Sequence, residues 1–423
     1  MMDFLALSPR LVTWIITAIA VTGVIVRPFD LMEAIWPVIA VVVLLALGLI
    51  SPGTALTGIA KGTDVYLFLT GMMLLAEAAR HEGLFDWLAA LATTHAKGSP
   101  KKLFLLTYIV GTVVTVFLSN DATAVVLTPA VAAAVKAADA KQPLPYLLVC
   151  AFVANAASFV LPISNPANLV IYGSAMPPLL QWVPRYLLPS ILSISATYAF
   201  LLWTQRNAFD QAIAKDVTMP VLSGGGRTAA LGIAATAVAL LTASALDIRL
   251  GLPTCIAGAI TAAIVMIRDP RKALPTIRGV SWGILPLVAA LFALVEALVS
   301  TGVIATISGF LRMGAERSEI WAGWAAGLSV ALASNLANNL PVGLVAGSAI
   351  QDAHAPARIT SAVLIGVDVG PNLSVTGSLA TILWLNALRR DGHHIGAMKF
   401  LKIGAFVMPP ALLLAIGVAL LFN

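Results

Sequence analysis

Four polar interruptions in an otherwise apolar sequence hold the residues able to do chemistry. The first is Ser119-Asn120-Asp121-Ala122-Thr123, and the second runs from Pro162 through Ser164-Asn165-Pro166 to Asn168. The third is Ser334-Asn335-Leu336-Ala337-Asn338-Asn339-Leu340-Pro341, and the fourth runs from Asp368 through Gly370-Pro371-Asn372 to Ser378. Pro and Gly break a helix and free its carbonyls and amides, while Asn, Ser and Thr add short neutral donors and acceptors. The candidate solute contacts are Ser119, Asn120, Asp121, Thr123, Ser164, Asn165, Asn168, Asn338, Asn339, Asn372, Ser374, Thr376 and Ser378. Such residues also cap half-helices and tie them to neighbours. One cluster reads as structural; four at corresponding places read as a site. The site holds no Arg or Lys, which suits a small neutral polyhydroxyl solute better than an anion.

Buried acids are few: Glu77, Asp121, Glu296 and Asp368. An ionisable group at membrane depth is expensive and usually functional. Asp121 is placed either to cap the arm beginning at Ala122 or to move with the solute site. Glu77 has Arg80 one turn on. Glu296 has no basic residue within a turn, and Asp368 adjoins a helix break. Burial favours the neutral acid, so these groups are candidates to carry a proton through a transport cycle, in the order Asp368, Asp121, Glu296 and Glu77. His354, His393 and His394 fall in loops, away from any coupling role. Cys150 and Cys255 each stand alone in an apolar run, so neither a disulfide framework nor a thiolate metal site is expected. No cofactor is implied.

The elements around these residues are membrane spans. Of 423 residues, 60% are apolar and 10% charged, against about a quarter charged in a soluble domain. Mean hydropathy is +0.96, which excludes a soluble fold. Long unbroken apolar runs exclude an outer-membrane barrel. The net charge of +6 sits in short loop clusters and forms no nucleic-acid patch. The run from Leu11 reads as a retained helix, not a signal peptide.

Ten spans are expected at 11–26, 31–50, 64–80, 146–172, 187–203, 228–247, 252–267, 282–302, 359–384 and 400–422. Two pairs of short runs, 103–118 with 122–136 and 320–333 with 340–351, read as re-entrant hairpins with polar tips inside the protein. Residues 82–97 read as an interfacial amphipathic helix. This arrangement puts four basic clusters on the cytoplasmic side: Arg80 to Lys102, Arg206 to Arg227, Arg268 to Arg278, and Arg389 to Lys399. Both termini are then outside.

The halves correspond, with Glu77 against Glu296, Gly83 against Gly302, and Asn120-Asp121 against Asn338-Asn339. An odd number of spans per half makes the second half inverted. The expected fold is therefore an all-α polytopic membrane protein of two inverted repeats, 1–203 and 228–423. Each repeat has five spans plus a hairpin, and one of the five spans is broken at the midplane. A cytoplasmic linker, 204–227, joins them and contains Gly224, Gly225 and Gly226.

At these residues the sequence resembles the bacterial arsenite efflux permeases of the ion transporter superfamily. The similar stretches are Phe117 to Ala122 with Leu127-Thr128-Pro129, Ile163-Ser164-Asn165 with Asn168, Asn338 to Pro341, and Val367 to Asn372 through Gly377 to Thr381 with Leu383-Trp384-Leu385. Some members carry Lys where this chain has Asn372, so a charge there is not essential to the family. The resemblance implies export of trivalent arsenic and antimony across the inner membrane as neutral hydroxides, driven by inward proton flow. It also implies that some members work with a soluble arsenite-stimulated ATPase; a homodimer is a further expectation. The nearest rival is a sodium-coupled carboxylate or other anion carrier on the same fold. A channel would move solute downhill without protons, and a membrane-embedded acid-pair enzyme lacks any nucleophile–base arrangement.

Overall fold

The computed structural model describes residues 8–210, 212–215 and 217–422. Local sequence sets many helix starts. Ser8, Ser51 and Ser99 each precede a proline, and each hydroxyl accepts from a backbone N–H three residues on, at Leu11, Thr54 and Lys102. Serine at the cap and proline at the first helical position need no sacrificed hydrogen bond.

The first half holds α1 (Pro9–Val26), α2 (Ile35–Ala46), α3 (Pro52–Lys61), α4 (Thr63–His81), α5 (Leu84–Ala96), α6 (Pro100–Phe117), α7 (Asn120–Ala122), α8 (Thr128–Ala137), α9 (Leu144–Ala156), α10 (Pro166–Tyr172) and α11 (Leu179–Thr204). The second holds α12 (Gly224–Ala245), α13 (Gly251–Arg268), α14 (Ala273–Gly279), α15 (Ile284–Ser300), α16 (Val303–Arg317), α17 (Glu319–Ala337), α18 (Asn339–Ala353), α19 (Ala357–Val369), α20 (Leu379–Arg390) and α21 (Ala397–Phe422).

From α4 onward the order of the first half recurs from α15 onward, and so does the packing. Helix α4 lies on α13 while α15 lies on α3; α6 lies on α9 while α17 lies on α19; α5 lies on α8 while α16 lies on α18. Helices α11 and α21 pack on each other. Gly83 and Gly302 precede α5 and α16 in matching left-handed conformations, with φ of 74° and 85°, where a Cβ would be strained.

The fold is all-helical and polytopic. Among the described residues eight helices are long and apolar enough to cross a membrane, or nine counting α3 and α4, which bend by 48° across Gly62, as one span. Six of the eight fall on spans expected from sequence. The other two, α6 and α17, are the first arms of the expected hairpins, and at 18 and 19 residues they are longer than the apolar runs suggested. At 1.5 Å per residue each is about 27 to 29 Å long. The expected spans 146–172 and 359–384 are each two short helices about a break.

Two further expectations need correction. Gly224, Gly225 and Gly226 do not belong to the linker. They form the first turn of α12, capped by Ser223, and a Cβ at Gly225 would strike the Glu82 carboxylate. Helix α5 is not merely interfacial: Leu84, Phe85, Ala89, Ala92 and Ala96 are buried in the main core against α6 and α8.

The basic clusters meet at one end. Glu82 is held by Lys272 Nζ at 3.0 Å and by Ser223 Oγ at 3.0 Å. The linker N–H groups of Ile213 and Ala214 donate to Gly98 O and Ala138 O, and Lys136 lines a cleft with Asp391 and His393. The segment 98–138 thus leaves and returns at the same end. Trp14 in α1 donates to Thr301 Oγ1 at the α15–α16 turn. The chain ends themselves, Met1–Leu7 and Asn423, lie outside the described residues.

The α4–α13 crossing depends on Gly71 and Gly258, since a Cβ on either would meet the other helix's backbone. We predict that Gly71→Leu lowers stability by about 1 to 3 kcal/mol or prevents assembly, as overpacking does. Gly309→Ala in α16, where the space around the glycine is open, should be neutral or stabilising by up to about 1 kcal/mol. Unfolding in mixed detergent micelles reads both. Equal effects would mean that the crossing is not close-packed.

Candidate functional site

The first polar interruption ends α6. Ser119 is extended and caps α7, its Oγ accepting from Ala122 N at 3.2 Å. This corrects one expectation: Ser119 is the cap, and Asp121 is left in the first turn. Asn120 Oδ1 accepts from Asp121 N at 2.9 Å. Residues Thr123–Leu127 then wind as a π-helical stretch, a distortion frequent at functional sites. Thr123 and Thr115 share a hydroxyl contact of 2.8 Å. The side-chain bonds of Ser119 and Asn120 stay within the tip. Asp121, with Ser119, faces a cavity of about 60 Å³ bounded by Met72, Glu77, Pro166 and Ser281. No Lys or Arg lines it.

The second interruption separates α9 from α10. Asn168 Nδ2 donates to the freed carbonyls of Ser158 at 2.9 Å and of Leu161 and Pro162 at 3.4 Å. Ser164 Oγ accepts from Leu161 N and donates to Val116 O at 3.1 Å, which ties the break to the end of α6. Asn165 Oδ1 accepts from Ala167 N, and its Nδ2 donates to Asp368 Oδ1 at 2.7 Å.

The third and fourth interruptions join each other. Asn339 N donates to Gly377 O at 2.9 Å, and Asn338, at φ 69°, caps α18 by accepting from Leu340 N. Ser374 Oγ donates to Asn335 Oδ1 at 2.8 Å, and Thr376 Oγ1 donates to Asn335 O at 3.0 Å. Asn335 Nδ2 donates to Ala331 O and Gly370 O. Ser378 caps α20 through Thr381 N. Asn372 Nδ2 donates to Phe152 O, while its Oδ1 accepts from Asn155 Nδ2 at 3.0 Å.

The predicted residues therefore divide. Ser119 and Asp121, with Pro166, border the cavity, whose wall the second half completes with Gly279 to Ser281. Asn165 meets Asp368 deep in the protein. Asn338, Asn339, Ser374 and Thr376 are stitched into one another, and Ser164, Asn168, Asn372 and Ser378 secure broken backbone. Sequence reasoning missed Asn155 and left Asn335, though it falls in the third interruption, out of the candidate contacts; both bridge to the fourth interruption. Asn155 left a readable signal, a lone amide in an apolar run, which must be hydrogen-bonded to be buried there.

The four acids separate as well. Asp368 is fully buried, with Asn165 on Oδ1 and Ser158 near its carboxyl group. Neither Asp368 nor Asp121 forms an ion pair among the described residues. Glu77 accepts from Arg80 Nε at 3.1 and 3.0 Å and lies 3.2 Å from His81 Nε2. Glu296 is not alone, as its sequence neighbours suggested: Lys61 Nζ, from α3, lies 2.6 Å from its Oε2. That partner is 235 residues away in sequence. Cys150 is buried, Cys255 is half-buried, and both are free thiols. Among the described residues no group of three His, Cys, Asp or Glu side chains could hold a metal ion.

If Asn168 holds the first break, Asn168→Ala strands buried carbonyls and should cost about 1 to 3 kcal/mol in micelle unfolding. A loss below about 0.5 kcal/mol would contradict that role.

Comparison with known proteins agrees with the membrane architecture. The arsenical pump membrane protein of Yersinia enterocolitica is 27% identical over 349 residues, covering 79% of this chain and 81% of that protein. The protein of the same description from Escherichia coli K12 is 26% identical over 360 residues, with the same coverage. A putative arsenical pump membrane protein of Bacillus subtilis is 23% identical over 411 residues, 90% of this chain and 93% of that one. The fold resembles the Alcanivorax borkumensis YdaH transporter, with a TM-score of 0.57 at 13% identity over 86% of both chains. Residues 9–370 match the family CitMHS, described as citrate transporter, and the chain therefore belongs to this family of membrane transporters within the ion transporter superfamily.

Proposed function

We propose that this protein is a secondary active transporter that exports trivalent arsenic and antimony, as neutral hydroxides, from the bacterial cytoplasm in exchange for protons. The observation that carries the reading is the lining of the cavity between the 119–122 turn, α4 and residues 279–281. A hydroxyl from Ser119 and carboxyl groups from Asp121 and Glu77 reach it, and no cationic side chain does. A tricarboxylate there would find no cationic side chain in the lining to pair with, since Arg80 is already bound to Glu77. A trihydroxide meets hydrogen-bonding groups it can both donate to and accept from. The relatives described as arsenical pumps support the same solute, while the family's description favours a carboxylate. The second reading is thus a carboxylate carrier in which sodium ions offset the two acids.

In our reading the two halves are inverted repeats, and 100–137 and 319–353 are re-entrant hairpins. The buried polar tips support this, as does the return of the first segment to its starting end. The basic end is cytoplasmic by the positive-inside rule, which places both termini in the periplasm. Asp368 and Asp121 are the proton carriers; Lys61 removes Glu296 from that role. A soluble ATPase and a second copy of the chain remain candidate partners.

Solute entry and release proceed by movement of the hairpin against α4 in alternating access.

Everted membrane vesicles test the reading, because their lumen corresponds to the periplasm. Acidifying the lumen by one pH unit should raise arsenite accumulation up to about tenfold per proton exchanged, since a unit is worth about 1.4 kcal/mol. Accumulation of citrate that requires sodium, with no response of arsenite to the gradient, would replace this reading with the carboxylate carrier.

A further inference from the structure

The helical segment from Asn120 to Ala137 shows one face to open space. Asp121, Val125, Pro129, Ala133 and Lys136 recur along it at helical spacing and are partly or fully exposed, while residues 122–124, 126–128 and 130–132 between them are buried. Asp121 and Val125 border the cavity described above. Pro129, Ala133 and Lys136 border a cleft of about 500 Å³ at the basic end, where Asp391 and His393 line it too. At about 1.5 Å per residue, Asp121 and Lys136 lie about 20 Å apart along the segment.

Helix α20 packs along the same segment, on Thr123–Leu127 and on α8. It passes from the cavity, at Leu383, to the cleft, at Asp391 just beyond its end. Between them Asn386 and Ala387 are partly exposed, while Trp384 and Leu388 are buried. The side-chain amide of Asn386 has no hydrogen-bond partner among the described residues. Lipid against this face would leave Asp121, Asn386 and Lys136 unsolvated at membrane depth, so the face opens to water.

We propose that the solute enters from the cytoplasm along this face: the cleft beside Lys136 is its vestibule, and the neck between Val125 and Leu383 admits it to the cavity and selects against charge. The proposal deepens the neutral-solute reading above and rests on it. Between Asp121 and Lys136 the segment carries no charged side chain, and neither does α20 before Arg389. A charged solute in the neck meets one amide, Asn386, among Val, Pro, Ala and Leu, and burying an uncompensated charge is costly. A neutral trihydroxide gives up far less, and the same amide can both donate to it and accept from it. The mouth carries both signs, in Lys136 and Asp391, so it does not concentrate anions.

Cysteine labelling tests the path without reference to the solute. It uses the full-length protein in membrane vesicles, with Cys150→Ser and Cys255→Ser removing the native thiols. Ala133→Cys and Asn386→Cys should react with a membrane-impermeant charged methanethiosulfonate at least tenfold faster in everted vesicles, which expose the cytoplasmic side, than in right-side-out ones. Val113→Cys, on the exposed apolar face of α6, should stay unlabelled in both. If either reporter reacts as slowly as Val113→Cys, or reacts faster from the periplasmic side, the path is overturned. Ala387→Cys replaces Asn386→Cys if that variant does not assemble.

Charge selection is read two turns deeper. The ratio of neutral to anionic reagent rates should be at least tenfold higher at Val125→Cys than at Ala133→Cys, and equal ratios would overturn the neck. A bulky neutral reagent on Ala133→Cys should lower arsenite flux at least tenfold; full flux after complete labelling would overturn the entry path. If labelling follows this pattern but the unlabelled protein moves no arsenite, it is the solute assignment that fails.

Discussion

A helix interrupted at membrane depth must have its freed carbonyls satisfied by the protein itself, because hydrocarbon offers no donor. Side-chain amides meet this constraint throughout the structure. Asn168 serves three carbonyls of the first break, Asn335 holds Gly370 O in the second, and Asn372 reaches across to Phe152 O. Each stranded group would cost about 1 to 3 kcal/mol, a large part of the margin by which a protein stays folded. The breaks, the packing of the helices around them and the position of every candidate site residue follow from these bonds.

The two halves use the same elements to different ends. The polar turn between α17 and α18 is bonded to the 374–378 segment through Asn338, Asn339 and their neighbours, so its polar groups serve one another. The first tip keeps its side-chain bonds local and turns Asp121 toward a cavity. Asp368 belongs to the second half yet takes its hydrogen bond from Asn165 in the first. A shift between the halves would change the partners of that acid. In our account this couples solute movement to protonation: the first half presents free polar groups, and the second supplies a buried carboxyl group that senses its position.

Much of this was legible in the residues. Pro, Gly and Asn inside apolar runs marked all four interruptions, and Gly83 and Gly302 announced two equivalent left-handed turns. Glu77 and Arg80 paired as one helical turn dictates. What escaped were partners fixed only by tertiary packing. Lys61 meets Glu296 because α3 packs on α15, far apart in sequence. Asn155 matters because α9 faces the fourth interruption. Gly224 to Gly226 looked like linker because nothing in the local sequence shows Glu82 against Gly225, where a Cβ would not fit. Apolar run length understated α6 because its first turn contains Pro100, Lys101 and Lys102, which are polar or helix-starting yet helical.

The most direct test of the central claim is the pH inside proteoliposomes during solute flow with no imposed gradient. For the fraction of protein facing inward as in the cell, arsenite leaving the lumen down its concentration gradient should carry protons in. The account predicts lumenal acidification that scales with arsenite flux and disappears in Asp368→Asn. Arsenite flux of the same size with an unchanged lumenal pH would contradict it.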